Sequence, residues 1–226
     1  MVLLRFSNLR AGYGSGPDIV ADAELALEEG ETVAIVGPSG EGKSTLLKVV
    51  AGIVPPRSGT VEVLGNPWPA KPPAGSVGYV PQRLGLVRYA SVLDNVLQGG
   101  LHETTWMQSL LHRAPDSVRA RADEALARLG LADKSEVPVH ALSGGQQRRV
   151  AVARALVQRP RLLLADEFLG ELDQATMDIV IDAVKGQQRE TRMGLLVVEH
   201  HLDQALRLAD RVYRLKGGRL QPLERA

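Results

Sequence analysis

The sequence predicts an α/β fold with a mostly parallel sheet, an N-terminal antiparallel β subdomain and an inserted α-helical subdomain. Residues 32–36, 162–165 and 195–198 are short and nearly all apolar, which is typical of strands covered on both faces of a parallel sheet. Apolar side chains recur at helical spacing before the last of these runs and predict one buried helical stripe: Met177, Val180, Ile181 and Val184. Short buried strands that alternate with amphipathic helices indicate this fold class.

Length and composition limit the fold and the function of the chain. With 226 residues, of which 44% are hydrophobic, it can form one large domain or a core with an inserted lobe, and it is not a disordered chain. Its 27 Lys and Arg against 26 Asp and Glu give a net charge of +1, so nothing indicates nonspecific attraction to nucleic acid or acidic membranes. The absence of cysteine excludes disulfides, a thiol nucleophile and a thiolate metal site, and it fits a reducing compartment such as the cytosol.

The N-terminal part is predicted to form the antiparallel subdomain. Residues 3–6 and 61–64 have the composition of two strands that lie beside the main sheet. Four prolines after them predict a stiff extended loop: Pro67, Pro69, Pro72 and Pro73. We expect no secretion signal, because the apolar start of the sequence is too short for one. No run approaches the ~18 apolar residues that a membrane-spanning helix needs, so we expect a chain that is soluble in isolation.

Residues 85–140 are predicted to be the helical subdomain, inserted between two parts of a core made of residues 1–84 and 141–226. The segment contains no convincing buried strand. Ser91 followed by Asp94 has the pattern of a helix start with an acidic residue in the first turn. A second helix is predicted from one buried stripe: Val118, Ala122, Ala125, Leu126 and Leu129.

A glycine-rich segment between the first buried run and a helix fits the phosphate-binding pattern G-x-x-x-x-G-K-[ST]. It consists of Gly37, Pro38, Ser39, Gly40, Glu41, Gly42, Lys43 and Ser44, and Thr45 follows it. Glycines let backbone N–H groups converge on phosphate oxygens, and the helix that follows points its positive end at their charge. Lys43 would add a charge for the β and γ phosphates, and the Ser44 hydroxyl is a ligand for Mg²⁺. We therefore predict the nucleotide site of a P-loop NTPase core.

Two carboxylates, Asp166 and Glu167, directly follow the buried run of residues 162–165. In an open parallel sheet ligands lie at the carboxyl ends of the strands, so both acids should emerge beside the phosphates if their strand neighbours that of residues 32–36. Successive strand residues face opposite sides of the sheet. One acid is therefore expected to face Mg²⁺ and the other a water molecule.

A second helix start is suited to an anion. Leu142, Ser143, Gly144, Gly145, Gln146 and Gln147 open a helix whose N terminus would expose N–H donors and the positive end of the dipole. Both anion sites could serve one nucleotide within a single chain. Alternatively, two chains could hold each nucleotide between the 37–45 loop of one and the Ser143 helix of the other. A plain helix cap at Ser143 is the simpler interpretation.

Residues 37–45, 142–147 and 162–167, in this order and spacing, resemble the ATP-binding subunit of an ABC transporter, and the resemblance covers essentially the whole chain. It implies an ATPase that binds ATP and Mg²⁺ and dimerises on ATP, either with itself or with a second ABC ATPase. It also implies a separate integral-membrane permease that the dimer drives from the cytoplasmic face of the cell membrane. No nucleic-acid partner is expected.

The resemblance implies a role for each matching residue. Tyr13 would stack on adenine, and residues 37–45 would bind the phosphates. The expected metal ligands are Ser44, Gln82 and Asp166. The expected catalytic residues are Glu167, which polarises the water, His200, which contacts the γ phosphate, and Gln82, which touches the metal and the water. The residues expected to contact the nucleotide of the partner chain are Ser143, Gly144, Gly145, Gln146 and Asp173.

Three positions depart from the family pattern. Phe168 replaces a proline and should alter rigidity more than chemistry. Glu199 replaces a threonine or serine, and we expect it to turn away from the phosphates or onto a basic partner. His201 replaces an aspartate and removes a good helix cap unless Asp203 substitutes for it. The other histidines have no metal-like spacing and are interpreted as surface or core residues: His102, His112 and His140.

Other functions stay open on the sequence alone. A soluble mechanoenzyme acting on ribosomes or DNA is the alternative, although such proteins usually resemble two fused cassettes or carry a long coiled coil. A P-loop GTPase is less favoured because the sequence has no Asn-Lys-x-Asp segment. Substrate and direction of transport are not predicted. Residues 164–167 and 170–173 are similar to lipoprotein-releasing and macrolide-exporter ATPases, whereas residues 77–82 are more like metal importers.

Overall fold

Six strands form the larger sheet of the protein, a computed structural model that describes residues 1–104, 114–170 and 172–223. In the order of the sheet the strands are β10 (Arg219–Leu223), β9 (Arg211–Lys216), β3 (Thr32–Val36), β8 (Gly194–Glu199), β7 (Leu162–Asp166) and β6 (Val77–Val80). All neighbours pair in parallel except β10, which is antiparallel to β9. Every residue of β3, β7 and β8 is buried, which confirms the prediction from the three apolar runs.

The smaller sheet is antiparallel and has the order β2, β1, β4, β5. Its strands are β1 (Val2–Ala11), β2 (Val20–Glu28), β4 (Ser58–Val63) and β5 (Asn66–Pro67). Leu4 lies opposite Val63, and Phe6 lies opposite Val61, so the two predicted N-terminal strands do pair. The first proline of the predicted loop, Pro67, lies in β5 instead of in a loop.

Helices pack on both faces of the larger sheet. They are α1 (Lys43–Val50), α2 (Val92–Leu97), α3 (Asp116–Arg128), α4 (Gly144–Val157), α5 (Gln174–Thr191) and α6 (Leu202–Leu208). The predicted helix start at Ser91 is confirmed, since its hydroxyl accepts a hydrogen bond from the backbone N–H of Asp94 at 3.0 Å. A 3₁₀ helix, Gln98–Glu103, follows α2. Within the three described ranges, no helix combines the length and apolar character that crossing a bilayer requires.

The larger sheet is the middle layer between two hydrophobic clusters. In β3, Val33 and Ile35 face the cluster shared with α1 and the smaller sheet, whereas Ala34 and Val36 face the cluster shared with α2 to α5. The α/β fold class with an antiparallel β subdomain and a helical subdomain is therefore confirmed. Because β3, β6, β7 and β8 are parallel, they end at one edge of the sheet, and the candidate site lies there.

Candidate active site

The phosphate-binding pattern forms a tight turn between β3 and α1. Gly42 has φ of +99°, and a Cβ atom there would lie 2.5 Å from Cγ2 of Ile19. A Cβ atom on Gly37 would lie 2.7 Å from the backbone oxygen of Leu215. Only glycine fits both positions, so the turn brings its backbone N–H groups to the N terminus of α1 without side chains in the way.

Lys43 folds back over this turn. Its Nζ donates hydrogen bonds to the backbone oxygens of Gly37 at 2.7 Å and Pro38 at 2.9 Å, and it lies 3.5 Å from Nδ1 of His200. Burial lowers the pKa of Lys43, and the carboxylates of Glu167 and Asp166 oppose this shift. The cation is thus fixed at the centre of the turn.

Ser44 and Asp166 bring a hydroxyl and a carboxylate oxygen together. The Ser44 hydroxyl donates to Oδ1 of Asp166 at 3.0 Å, and Asp166 is only 2% exposed. Burial raises the pKa of Asp166, while the Ser44 hydrogen bond and the charges of Lys43 and Lys48 oppose the shift. The condition that β7 neighbours β3 is not met, because β8 lies between them. The Ser44 side chain on α1 makes the connection instead.

Glu167 turns to the other side and meets two donors. Gln82 Nε2 donates to Oε2 of Glu167 at 2.7 Å, and Nε2 of His200 lies 2.6 Å from Oε1. Three residues that are far apart in the sequence therefore converge at the ends of β6, β7 and β8. The expected divergence of Asp166 and Glu167 is observed, since one carboxylate meets Ser44 and the other meets Gln82 and His200.

Tyr13 lies beside the first turns of α1. The residue is 48% exposed, the centre of its ring is 6.0 Å from Nζ of Lys48, and its hydroxyl is 3.5 Å from Oγ1 of Thr45. An exposed aromatic face at the end of the phosphate-binding turn is suited to stacking on a flat base.

Ser143 and Asp173 each cap a helix of their own chain. The Ser143 hydroxyl accepts a hydrogen bond from the backbone N–H of Gln146 at 3.3 Å, and Oε1 of Gln146 accepts one from the N–H of Ser143 at 3.0 Å. Oδ1 of Asp173 accepts from the N–H of Thr176 at 3.0 Å, which lowers the pKa of Asp173. The helix-cap interpretation of Ser143 therefore describes the single chain, and the exposed Gly144 next to it is open to a partner.

The three departures from the family pattern have different surroundings. Phe168 is 1% exposed and belongs to the hydrophobic core. Glu199 is also 1% exposed and accepts a hydrogen bond from the backbone N–H of Leu169 at 3.2 Å. The charge of Arg148 also acts on this side chain. The expectation that Glu199 turns away from the phosphates or onto a basic partner stays a prediction. His201 precedes α6 without a capping hydrogen bond from its side chain, and Asp203 lies in the first turn.

His102 and His140 lie in ordinary surroundings. Nε2 of His102 is 3.4 Å from Oε1 of Glu103, and the His140 ring lies 5.2 Å from the ring of Tyr89. His112 and Glu171 lie outside the described residues. In the part of the chain that the structure describes, no three His, Cys, Asp or Glu side chains form a metal-binding cluster.

Two arginines at the site were not identified from the sequence. Arg148 Nη1 donates to the backbone oxygen of Glu167, and Arg57 donates to the backbone oxygens of Tyr13, Gly14 and Gly16. Hydrogen bonds to backbone oxygens of distant segments produce no motif, so sequence reasoning could not find them. The position of Arg148 shortly after the 142–147 segment was the only available hint.

The chain resembles known proteins along almost its whole length. Residues 20–170 match the profile of the ABC transporter family. The chain is 38% identical to the phosphonates import ATP-binding protein PhnC of Stutzerimonas stutzeri, over 91% of this chain and 79% of the relative. It is 34% identical to the hypophosphite import ATP-binding protein HtxD of the same organism, over 97% of this chain and 66% of the relative. A solved dimer of the ATP-binding cassette MJ0796, bound to ADP and Pi, is 28% identical over 99% of both chains, with a TM-score of 0.83.

Proposed function

Since the chain belongs to the ABC transporter family, whose ATP-binding subunits hydrolyse ATP to drive transport, we propose that Glu167 and its two partners are the catalytic centre of this subunit. The observation that carries the proposal is the position of the Glu167 carboxylate between Nε2 of Gln82 at 2.7 Å and Nε2 of His200 at 2.6 Å. Two donors fix its orientation at the edge of the sheet where the phosphate-binding turn lies. A carboxylate held in this way can orient a water molecule and accept its proton during attack on the γ phosphate.

The 37–45 loop and α1 would hold the phosphates of ATP. Lys43 Nζ lies at the centre of the turn, where it can neutralise charge on the β and γ phosphates. Nδ1 of His200 is 3.5 Å from this nitrogen, which supports a position of His200 next to the γ phosphate. The adenine would lie against the exposed ring of Tyr13.

Ser44 and Asp166 are suited to hold Mg²⁺. A hydroxyl and a buried carboxylate oxygen 3.0 Å apart are hard oxygen ligands of the kind that this ion prefers, and it usually takes its other ligands from phosphates and waters. The amide nitrogen of Gln82 is engaged by Glu167, so its oxygen is the atom available for the metal or the water. When bound, the ion supplies positive charge that offsets the charge developing on the phosphate oxygens.

Hydrolysis at such a site depends on positioning and charge, because phosphoryl transfer requires little covalent chemistry from the protein. Glu167 aligns the water, His200 holds the Glu167 carboxylate from one side, and Gln82 holds it from the other. Gln82 follows β6, so the chain runs directly from this donor into the helical subdomain.

A second ATPase chain would complete the site. Ser143, Gly144, Gly145, Gln146 and Asp173 would reach the nucleotide of the partner chain. The exposed N terminus of α4 supports this arrangement, because its free N–H groups and dipole favour an anion. The partner is a second copy of this chain or a related ATPase.

The dimer would act on an integral-membrane permease from the cytoplasmic face of the cell membrane. The two relatives reported above are named as import proteins, which supports import as the direction of transport. Their names also support a role in a transporter rather than in a soluble mechanoenzyme. Their named substrates, phosphonates and hypophosphite, suggest a small phosphorus oxyanion as the cargo to be tested first. Purification from detergent-solubilised membranes should retain a hydrophobic partner, whereas pelleting with ribosomes or DNA would contradict the transporter role.

The catalytic proposal is tested by E167Q. The amide keeps the size of the side chain but cannot take a proton, so the rate of hydrolysis should fall by about 10² to 10⁴ while ATP is still bound. E62Q, an exposed glutamate on β4, is the matched control and should leave both properties unchanged. Turnover of E167Q at the rate of the unchanged protein would remove Glu167 from its role.

A further inference from the structure

Glu199 is an ionisable side chain in the interior of the protein that the mechanism above does not use. It is the last residue of β8 and is 1% exposed. A buried carboxyl group costs free energy unless it is hydrogen-bonded. Its Oε1 accepts a hydrogen bond from the backbone N–H of Leu169 at 3.2 Å, and an apolar residue in the same space could not provide that bond.

The bonded N–H group belongs to the turn that carries Glu167. Glu167 has φ of +54°, a left-handed conformation that residues other than glycine rarely adopt and that persists only where its surroundings hold it. Its backbone N–H donates to the backbone oxygen of Val198 at 2.9 Å, and its own backbone oxygen accepts from Arg148. These bonds hold the Glu167 residue itself. The bond between Leu169 and Glu199 holds the chain immediately beyond it.

We propose that Glu199 is a positioning residue for ATP hydrolysis, which ties the turn of Glu167 to strand β8 through the backbone N–H of Leu169. The inference rests on the proposed role of Glu167. Because His200 follows Glu199 directly, one strand end then places both the turn and the His200 nitrogen that contacts the catalytic carboxylate. Without the hydrogen bond between Leu169 and Glu199, the turn can change its conformation and the Glu167 carboxylate is displaced. A misplacement of about 1 Å costs up to ~10² in rate.

The electrostatic surroundings of Glu199 agree with this role. Burial raises the pKa of Glu199 to about 8, and the carboxylates of Glu167 and Asp166 act in the same direction, while the Leu169 N–H and Arg148 oppose the shift. The Glu199 carboxylate, where it is charged, raises the pKa of Lys43. Near neutral pH the carboxyl group is therefore mostly protonated. It adds little negative charge beside the phosphates and still accepts the hydrogen bond from Leu169.

The experiment compares E199Q with E199L in the intact protein. Glutamine keeps the acceptor oxygen and the length of the side chain, so kcat should stay within about twofold of the original value. Leucine fills similar space without an acceptor, so kcat should fall by about 10- to 100-fold. KM for ATP should change by less than about twofold in both variants, because the contacts of Lys43 and Ser44 are untouched. E199M replaces E199L, with the same expectation, if circular dichroism shows that the leucine variant is unfolded.

Equal kcat values for E199Q and E199L would overturn the inference, whether both are fast or both are slow. The combination with E167Q gives a second readout that a merely structural role would not produce. If Glu199 acts through Glu167, E199L should add less than about twofold to the defect of E167Q, whereas a full additional loss would contradict the inference. The proposed role of Glu167 is judged separately, since it fails only if E167Q itself hydrolyses ATP at the original rate.

Discussion

Arg57 Nη2 donates a hydrogen bond to the backbone oxygen of Tyr13 at 3.2 Å, which ties the segment before β4 to the loop between β1 and β2. The same guanidinium bonds to the backbone oxygens of Gly14 at 2.8 Å and Gly16 at 2.7 Å, and to Oδ1 of Asp18 at 2.8 Å. Its planar group of donors suits several acceptors at once. The position of the Tyr13 ring therefore depends on Arg57.

R57A is expected to weaken ATP binding without slowing the chemical step. Loss of the loop contacts should free Tyr13 and raise KM for ATP by about 3- to 10-fold, equivalent to one or two hydrogen bonds, while kcat stays within about twofold. Steady-state ATPase kinetics measure both values. R10A is the matched control, because Arg10 pairs with Asp18 at 2.7 Å and makes none of the three loop contacts. A fall in kcat with unchanged KM would contradict this role of Arg57.

K43A should remove nucleotide binding itself. The side chain that crosses the phosphate-binding turn would be lost, and with it the cation placed for the β and γ phosphates. We expect the affinity for ATP to fall by at least about tenfold, as measured by titration calorimetry, since charged hydrogen bonds contribute about 1.5 to 3 kcal/mol. K185A, a lysine on α5 that bonds to the backbone oxygen of Arg207, should bind normally. Normal affinity in K43A would show that the phosphates lie elsewhere.

S143A in one chain of a mixed dimer should impair hydrolysis at the site formed by the other chain's 37–45 loop. The measurement compares the ATPase rates of two mixed dimers. The first dimer pairs an S143A chain with an E167Q chain. The second pairs a chain that carries both substitutions with an unchanged chain. In the first pair, S143A faces the nucleotide of the E167Q chain, so the one intact site should keep its activity. In the second pair, each of the two nucleotide sites carries one defect, so the ATPase rate should be lower than in the first pair. Equal rates in the two pairs would argue against a shared site.

The stability of the protein should depend on pH through Glu199. Its pKa is 4.5 in an unfolded chain and is raised to about 8 on folding, so between these values the folded protein binds more protons than the unfolded chain. The stabilising contribution is complete below about pH 4.5 and is lost as the pH rises through about 8. E199Q lacks this pH dependence. As the pH rises from about 4.5 to about 8, the free energy of unfolding of E199Q should therefore increase relative to that of the original protein by a few kcal/mol, which is the size expected for such a pKa shift.

Urea unfolding of both proteins between about pH 5 and 9 checks this expectation. The E62Q variant, altered at an exposed position, should follow the original protein at every pH. A difference between E199Q and the original protein that stays constant with pH would mean that Glu199 does not titrate as its burial implies.

The sequence was sufficient to predict those features of the fold that depend on residues close together in the chain. The 37–45 pattern predicted the turn and the start of α1, because glycine conformation and helix polarity are local properties. The apolar runs predicted the buried central strands, because only residues covered on both faces are apolar throughout.

Contacts between distant parts of the chain were harder to predict from the sequence. The sequence did not reveal that β8 separates β3 from β7, since strand order depends on how the chain crosses the sheet. It predicted that Glu199 turns away from the phosphates or onto a basic partner, but it could not identify the backbone N–H of Leu169 as the donor, because every residue except proline has such a group. The contacts of Arg57 and Arg148 with backbone oxygens escaped notice for the same reason.

The outermost position of β6 gives the two donors to Glu167 unequal mechanical support. β8, which leads to His200, is bonded to both β3 and β7, whereas β6, which leads to Gln82, has β7 as its only partner among the described strands. Sliding β8 would break two rows of hydrogen bonds, and sliding β6 would break one. Gln82 is therefore displaced more easily than His200. A force applied to the helical subdomain would move Gln82, and with it the reacting water, before it moved His200.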